Sequence, residues 1–325
     1  MKPKVLVTRR IPDEGMKLIE GKFDLDINEE DRVLTKQEII KRLKGKDALL
    51  CLLTDTIDKE VIESNPKIKV ISNYAVGFNN VDVATATKHK IPVTNTPGVL
   101  TETTTDLAFA LLMSAARRVV ESDKFAREGK FKGWAPMLFL GRDVYGKTLG
   151  ILGLGRIGHA MAKRGAKGFD MKILYHDVKR DESFEKEFNA KFVSKEALLK
   201  ESDFVSLHVP LIEETKHYIG EKELGMMKKT AVLINTSRGP VVDEAALAKA
   251  LKEKKIFAAG LDVYEEEPKI HPGLIGLDNV VIVPHIASAS VETRGKMAEM
   301  AAKNLILVME GKKPLSIVNE EVLKK

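Results

Sequence analysis

Residues 148–177 read TLGILGLGRIGHAMAKRGAKGFDMKILYHD, and this stretch decides the fold. Thr148-Leu149-Gly150-Ile151-Leu152 is short, apolar and partly β-branched, which predicts a buried strand. The turn Gly153-Leu154-Gly155-Arg156-Ile157-Gly158 follows. Ile157, Ala160, Met161 and Arg164 then fall at helical spacing and predict a helix over 156–167. Lys172-Ile173-Leu174-Tyr175-His176 reads as a second strand, ended by Asp177. A lone G-x-G-x-x-G is weak evidence. Set between strand and helix, with an acid roughly 20 residues on, it is the dinucleotide-binding fingerprint.

Each part of the fingerprint has a physical job. Gly153 allows the tight turn, Gly155 lets a pyrophosphate approach the backbone, and Gly158 lets helix pack on strand. Leu154, Arg156 and Ile157 complete the turn. The helix N-terminus offers N–H groups and a positive dipole end to phosphates. Asp177 can accept hydrogen bonds from both ribose hydroxyls and repels a 2′-phosphate, so NADH is expected over NADPH. Lys179 and Arg180 nearby could offset that repulsion. The alternative is a glycine-rich turn in some other α/β protein, with Asp177 merely capping.

The chain has 325 residues, enough for two domains. Hydrophobic content of 44% and charged content of 31% are globular values. The net charge of +6, from 53 basic and 47 acidic residues, is spread along the chain. No block of like charge stands out, which argues against a nucleic-acid arm. The excess is either a solvated lysine surface or mild steering of an anionic substrate. A single cysteine, Cys51, lies in an apolar run, so no internal disulfide can form, and it reads as a buried small hydrophobe. The N-terminus enters a strand at once without a signal-peptide pattern, and no apolar run reaches membrane-spanning length. The expectation is a cytoplasmic protein with no membrane or nucleic-acid partner, and no metal site.

In chain order, strands are expected at 5–8, 23–27, 48–53 and 70–72, with helices over 13–20 and 58–64. Thr35-Lys36-Gln37-Glu38 fits a capping box opening a helix with Ile39, Ile40 and Leu43 on one face. This alternation argues for a parallel α/β sheet. The first unit ends near Pro97-Gly98. A long apolar helix over 101–120 should be buried on more than one side, and a subunit interface is one way to do that. Residues 129–143 look irregular and hold the only tryptophan, Trp134, either an interface anchor or ordinary packing. Further on, 192–200 reads as a short strand and helix. Strands follow at 204–208, 231–235, 258–263 and 280–283, with helices over 220–227, 243–251 and 291–309. Counted from Gly150, six strands make a doubly wound sheet.

Three groups sit just beyond strand ends, where open α/β sheets bind ligands. Arg238 lies in Thr236-Ser237-Arg238-Gly239-Pro240, Glu267 in Glu265-Glu266-Glu267-Pro268, and His285 in Pro284-His285-Ile286-Ala287-Ser288. Alone, each has a bland reading: a solvated arginine, a surface acid, a structural histidine. Together at one sheet edge they form a consistent set. Arginine grips a carboxylate bidentately. Histidine moves a proton near neutral pH, and a neighbouring carboxylate orients it.

GLGRIG after a strand, TSRGPVVDEAAL, GLDVYEEEP and VPHIASAS together resemble the D-isomer-specific 2-hydroxyacid dehydrogenases, over essentially the whole chain. The resemblance implies two doubly wound parallel-sheet α/β domains. One is a flavodoxin-like split substrate domain over 1–98 and 289–325, and the other a Rossmann NAD-binding domain over 99–288. It implies that Arg238 binds the substrate carboxylate and carbonyl, that His285 protonates the carbonyl as NADH delivers hydride, and that Glu267 pairs with His285. The Val76-Gly77 backbone would hold the carboxylate, with Ser288 also facing substrate. Asp262 would meet the nicotinamide carboxamide, and Pro210, Thr215, Thr236 and Ser237 would join the cofactor contacts. The 101–143 region looks like the family's homodimer arm. Within the family, LCLLTD (50–55), NYAVGF (73–78) and ASAS (287–290) look most like the glyoxylate/hydroxypyruvate reductases. Some of those carry arginine near position 177 for NADP. Gly165 looks like an extra residue that should weaken or bulge its helix.

The expected chemistry is therefore NAD(P)H-dependent reduction of a small 2-oxo acid. Phosphoglycerate dehydrogenase is the runner-up substrate reading. Formate dehydrogenases of the same fold carry glutamine where Glu267 stands. A non-catalytic, NAD-sensing protein resembling the family's transcriptional co-repressors is the alternative of a different class.

Overall fold

The computed structural model describes residues 1–324. The chain divides into two units, Met1–Leu100 with Ser288–Lys325, and Thr101–Ala287. The divisions fall two residues after and one residue before those expected from sequence. Val99 and Leu100 pack against the core of the first unit, which accounts for the later first division.

The first unit opens with β1 (Lys4–Val7), α1 (Asp13–Ile19), β2 (Asp24–Ile27), α2 (Lys36–Leu43), β3 (Ala48–Leu52), α3 (Lys59–Ser64), β4 (Ile71–Tyr74), α4 (Val83–Lys88) and β5 (Val93–Thr94). The second unit follows with α5 (Thr101–Ala116), α6 (Val119–Arg127), β6 (Thr148–Leu152), α7 (Arg156–Phe169), β7 (Lys172–His176), α8 (Glu182–Phe188), β8 (Lys191–Phe192), α9 (Lys195–Glu201), β9 (Phe204–Leu207), α10 (Glu221–Met226), β10 (Val232–Asn235), α11 (Glu244–Lys252), β11 (Ala258–Leu261), α12 (Pro272–Ile275) and β12 (Val280–Ile282). The chain returns to the first unit through α13 (Val291–Met309).

The first sheet has the order β2-β1-β3-β4-β5, every pair parallel. The inner strands β1 and β3 are near-continuous apolar runs because both faces are covered, whereas the edge strand β2 alternates Asp-Leu-Asp-Ile. α1 and α13 cover one face, where Met16, Ile19, Met297, Ala301 and Leu305 are buried. α2, α3 and α4 cover the other through Ile39, Leu43, Val61 and Ala86. Cys51 is buried in this second layer, as its apolar setting predicts. The capping box at Thr35 is present, with the Glu38 N–H donating to the Thr35 hydroxyl and the Thr35 N–H to the Glu38 carboxylate.

The second sheet has seven parallel strands, β12-β11-β10-β9-β6-β7-β8, rather than the six counted from sequence. The seventh is the two-residue edge strand β8, the short strand expected near 192, which the count of six left out. α5, α7 and α8 pack on one face and α9 to α12 on the other. The strand order reverses between β6 and β9, the switch point at which such sheets bind ligands.

Two local expectations are corrected. The helix expected over 101–120 stops at Ala116, and α6 starts afresh at Val119, with Arg118 left-handed at φ 57° between them. The end is imposed from outside the helix: Arg142 donates its N–H to Ala116 O at 2.8 Å. Gly165 neither bulges nor breaks α7, which runs unbroken from Arg156 to Phe169. It is buried, and a Cβ there would lie 2.8 Å from Leu149 Cδ2. Close packing on β6 offsets the helix-propensity cost that the sequence suggests. α5 is covered on more than one side, lying on β10 to β12 and against α7. α6 buries none of its residues, and Trp134 is 85% exposed, so ordinary packing within the chain is not its role. No helix among the described residues is long and apolar enough to cross a membrane.

Candidate active site

The fingerprint turn sits at the switch point. Gly153 has φ 94°, and a Cβ on it would lie 2.7 Å from the His208 carbonyl carbon beyond β9. A Cβ on Gly158 would come within 2.1 Å of Gly153 O, so the helix start is pressed onto the turn. Gly155, the N-cap of α7, faces open space and offers no side chain to the first N–H groups of the helix. This is a backbone cradle that a Cβ would fill, and its donors suit a pyrophosphate. Arg156 is exposed and Ile157 half-buried within it.

Asp177 closes the far side of the turn. Its Oδ2 accepts the Leu154 N–H and its Oδ1 the Val178 N–H, both at 2.6 Å. A carboxylate has about four acceptor sites, so capacity remains for ribose hydroxyls. Arg180 is held by Glu185 through Nε and Nη2, each at 2.8 Å, and so is already committed to a carboxylate. Thr236 is buried, and its hydroxyl has no hydrogen-bond partner among the described residues, an orphan that a bound polar group would satisfy. Thr215 instead spends its hydroxyl on the loop, donating to Pro210 O at 2.6 Å and accepting the Ile212 N–H at 2.9 Å. These features fit an adenine dinucleotide.

Arg238, Glu267 and His285 occupy three loops at the carboxyl ends of β10, β11 and β12. The Arg238 turn is braced by Asn235, whose Nδ2 donates to Arg238 O at 3.0 Å and whose Oδ1 accepts from Ser237 N and Oγ. Gly239 lets this turn meet the next loop, since a Cβ there would lie 1.8 Å from the Tyr264 carbonyl carbon. Burial pulls the Arg238 guanidinium below its ordinary pKa, and the Glu267 charge opposes that.

Glu267 accepts from His285 Nδ1 at 2.8 Å on Oε2 and from the Tyr264 N–H at 3.1 Å on Oε1. Burial alone would push its carboxyl up. The His285 bond and charge, the Tyr264 N–H and the Arg238 charge outweigh burial and hold it below the usual carboxylate range. With Nδ1 engaged, Nε2 of His285 is the nitrogen left for a substrate.

His285 itself is left-handed, φ 52°. Asp262 secures that turn: its Oδ1 accepts the Ile286 N–H at 2.6 Å and its Oδ2 the Ala287 N–H at 2.9 Å, while its own O accepts the His285 N–H. Burial raises the Asp262 carboxyl above its usual range despite those donors. The cofactor contact implied by the resemblance would use the second lone pairs of these oxygens. Glu244, also buried, accepts the N–H groups of Glu265 and His271 and so fixes the Glu267 loop at both ends. Sequence reading missed Asn235, Tyr264 and Glu244, whose roles are hydrogen bonds to backbone that no local pattern marks. Val76 and Gly77 follow β4 in the first unit, and Ser288 begins that unit's C-terminal part.

The sequence pattern of the D-isomer specific 2-hydroxyacid dehydrogenase NAD binding domain matches residues 109–287. A glyoxylate reductase of Korarchaeum cryptofilum is 60% identical over 327 residues, covering 100% of this chain and 98% of the relative. One from Pyrococcus horikoshii is 54% identical, covering 100% and 98%. Among solved structures, a Thermus thermophilus protein superposes with a TM-score of 0.91 at 44% identity, covering 97% of this chain and 99% of that one. An NADPH-dependent glyoxylate/hydroxypyruvate reductase from Sinorhizobium meliloti, bound to NADP and malonate, gives 0.88 at 30% identity, covering 98% of each.

Because the folded Glu267 carboxyl is depressed, the stability it contributes is present above the unfolded pKa and lost as pH falls through the folded one. With both partners partly exposed, that contribution should be about 1 kcal/mol or less. Denaturant melts of wild type and Glu267→Gln should differ near pH 7 and converge as pH falls below the usual carboxylate range. A constant gap from pH 7 to pH 3 would contradict the pairing.

Proposed function

Because this chain belongs to the D-isomer specific 2-hydroxyacid dehydrogenases, NAD(P)-dependent oxidoreductases, we propose that it reduces glyoxylate and hydroxypyruvate to glycolate and D-glycerate. The observation that carries this reading is the Glu267–His285–Arg238 corner, with His285 Nδ1 2.8 Å from Glu267 and Nε2 left for a proton transfer. Full-length relatives named glyoxylate reductase support the choice of substrate.

A reduced nicotinamide, when bound, would supply the hydride for the carbonyl carbon. His285 donates its Nε2 proton to the carbonyl oxygen, so the C=O becomes a CH–OH and the ring is left neutral. Glu267 orients the ring through Nδ1 and compensates the charge of its protonated form. Arg238, permanently cationic, takes the substrate carboxylate and polarises the carbonyl. As the family resemblance implies, backbone groups at Val76 and Gly77 are assigned to the substrate carboxylate, with Ser288 a further polar contact. Gly153 to Gly158 cradle the pyrophosphate, and Asp177 takes the adenosine ribose.

Asp177 is also the basis for proposing NADH as the preferred donor. A 2′-phosphate would meet its charge, and Arg180 is already paired with Glu185. We further propose a homodimer through the 101–143 arm. Val119, Val120, Phe131, Trp134, Met137 and Leu140 expose large apolar surface there. Such a patch on one chain suits a protein interface. A cavity of about 540 Å³ at the amino end of the second sheet, lined by Arg118, Arg142 and Phe257 among others, lies apart from the catalytic corner.

Three experiments test these readings. NADH oxidation should be fast with glyoxylate and hydroxypyruvate and slower with phosphohydroxypyruvate, and His285→Ala should lower kcat about 10²- to 10⁴-fold with NADH affinity unchanged. No turnover of any 2-oxo acid by wild type sinks the function, and full activity in the variant sinks the role of His285. Wild type should favour NADH in kcat/KM, and Asp177→Ala should narrow the gap; a wild-type preference for NADPH overturns the assignment. Light scattering should give the mass of two chains, falling to one in Trp134→Glu, and an unchanged mass would remove Trp134 from the interface.

A further inference from the structure

The loop after β4 has three consecutive carbonyl oxygens tied down. Ala75 O accepts the Thr96 N–H at 2.8 Å. Val76 O accepts from Asn95 Nδ2 at 2.8 Å, and Gly77 O from Asn73 Nδ2 at 3.0 Å. The one cis peptide among the described residues is Glu267–Pro268, so all three of these peptides are trans. In a planar trans peptide the C=O and N–H point in opposite directions. Fixing the three carbonyls therefore also fixes the N–H groups of Val76, Gly77 and Phe78, each turned away from its anchored oxygen. Among the described residues none of those three N–H groups has a hydrogen-bond partner. A row of unsatisfied backbone donors at the carboxyl end of a sheet is an anion site in waiting.

The two asparagine amides are themselves held in one orientation. Asn95 Oδ1 accepts from Ser316 Oγ at 2.6 Å, which leaves Nδ2 as the edge facing Val76. Ser316 is fixed in turn, its N–H donating to Asn304 Oδ1 at 3.2 Å, and Asn304 Nδ2 donates to Asn95 O at 3.1 Å. Asn73 exchanges hydrogen bonds with Asn80 at 3.2 and 3.3 Å and accepts from Cys51 Sγ at 3.7 Å. Asn73 is fully buried and Asn95 is 8% exposed. Rotating either amide would strand buried donors and acceptors.

We propose that Asn95 and Asn73 are positioning residues, with Ser316 setting the amide of Asn95. They hold the N–H groups of Val76, Gly77 and Phe78 outward as the donors for the substrate carboxylate. This rests on the reading above that this backbone takes the carboxylate. The asparagines do not touch substrate; they act through the peptide planes they pin. The C-terminal segment that carries Ser316 thereby becomes part of the anion site from 221 positions away in sequence.

The test uses the full chain saturated with NADH and oxalate as a non-reacting dicarboxylate probe, read by calorimetry, alongside glyoxylate kinetics. Asn95→Ala should weaken oxalate and raise the KM for glyoxylate about ten- to a hundredfold. Its kcat at saturation and its NADH affinity should stay near wild type, a split that general loosening of the fold would not give. Ser316→Ala should weaken oxalate about three- to tenfold, and Ser316→Thr, which keeps the hydroxyl, should recover wild-type affinity. If Asn95→Ala does not fold, the Ser316 pair carries the test. Unchanged oxalate affinity in folded variants, or no oxalate binding by wild type, overturns the proposal. Wild-type turnover of glyoxylate alongside unaffected variants would sink this inference and spare the proposed function. No turnover, with oxalate binding still dependent on Asn95 and Ser316, would do the reverse.

Discussion

The corner of the second unit proposed to be catalytic depends on one buried carboxylate. Asp262 directly follows β11 and takes the N–H groups of Ile286 and Ala287, two residues that follow β12. Those bonds hold His285 in a left-handed conformation that a non-glycine residue adopts only when its surroundings over-determine it. From there its ring meets Glu267. A carboxylate buried this deeply is costly unless its oxygens are satisfied. Here both accept, so the charge becomes a rigid link between neighbouring strand ends.

Around that link the charges balance locally. Arg238 loses hydration and Glu267 compensates it; Glu267 loses hydration and His285, Tyr264 and Arg238 compensate it. The loops that carry them are joined by backbone as well. Gly239 abuts Tyr264, and Glu244 ties down both ends of the Glu267 loop. Such a site is pre-organised by hydrogen bonds to main chain, and little of it relies on exposed side chains finding one another. The loop after β4 in the first unit follows the same logic with neutral amides in place of carboxylates.

Much of this was legible in the sequence. The fingerprint at 153–158 carries its meaning in local order, because strand, turn and helix are consecutive. Arg238, Glu267 and His285 lie in the loops that follow apolar strand runs, and parallel topology puts those strand ends on one edge. What was not legible depends on partners far away in the chain. The pattern AARRVV reads as continuous helix, yet Arg142 caps Ala116 and ends it. Gly165 reads as a helix defect until Leu149 is seen against it. Nothing in its local pattern marks Asn95, whose amide is fixed by Ser316, 221 positions on.

The sequence by itself determined the class of fold, the dinucleotide turn with its acid at 177, and the residue types able to bind a carboxylate and move a proton. Periodicity and strand-end position are local properties, and local order is written directly in the chain. Only the tertiary structure decided which hydrogen-bonding groups are left over. Asp177 faces the Leu154 N–H, Arg180 is committed to Glu185, Asp262 is spent on the His285 turn, and the donors of residues 76–78 remain unpaired among the described residues. The reason is that each polar group's availability is set by what packs beside it, and folding brings those neighbours from anywhere in the chain.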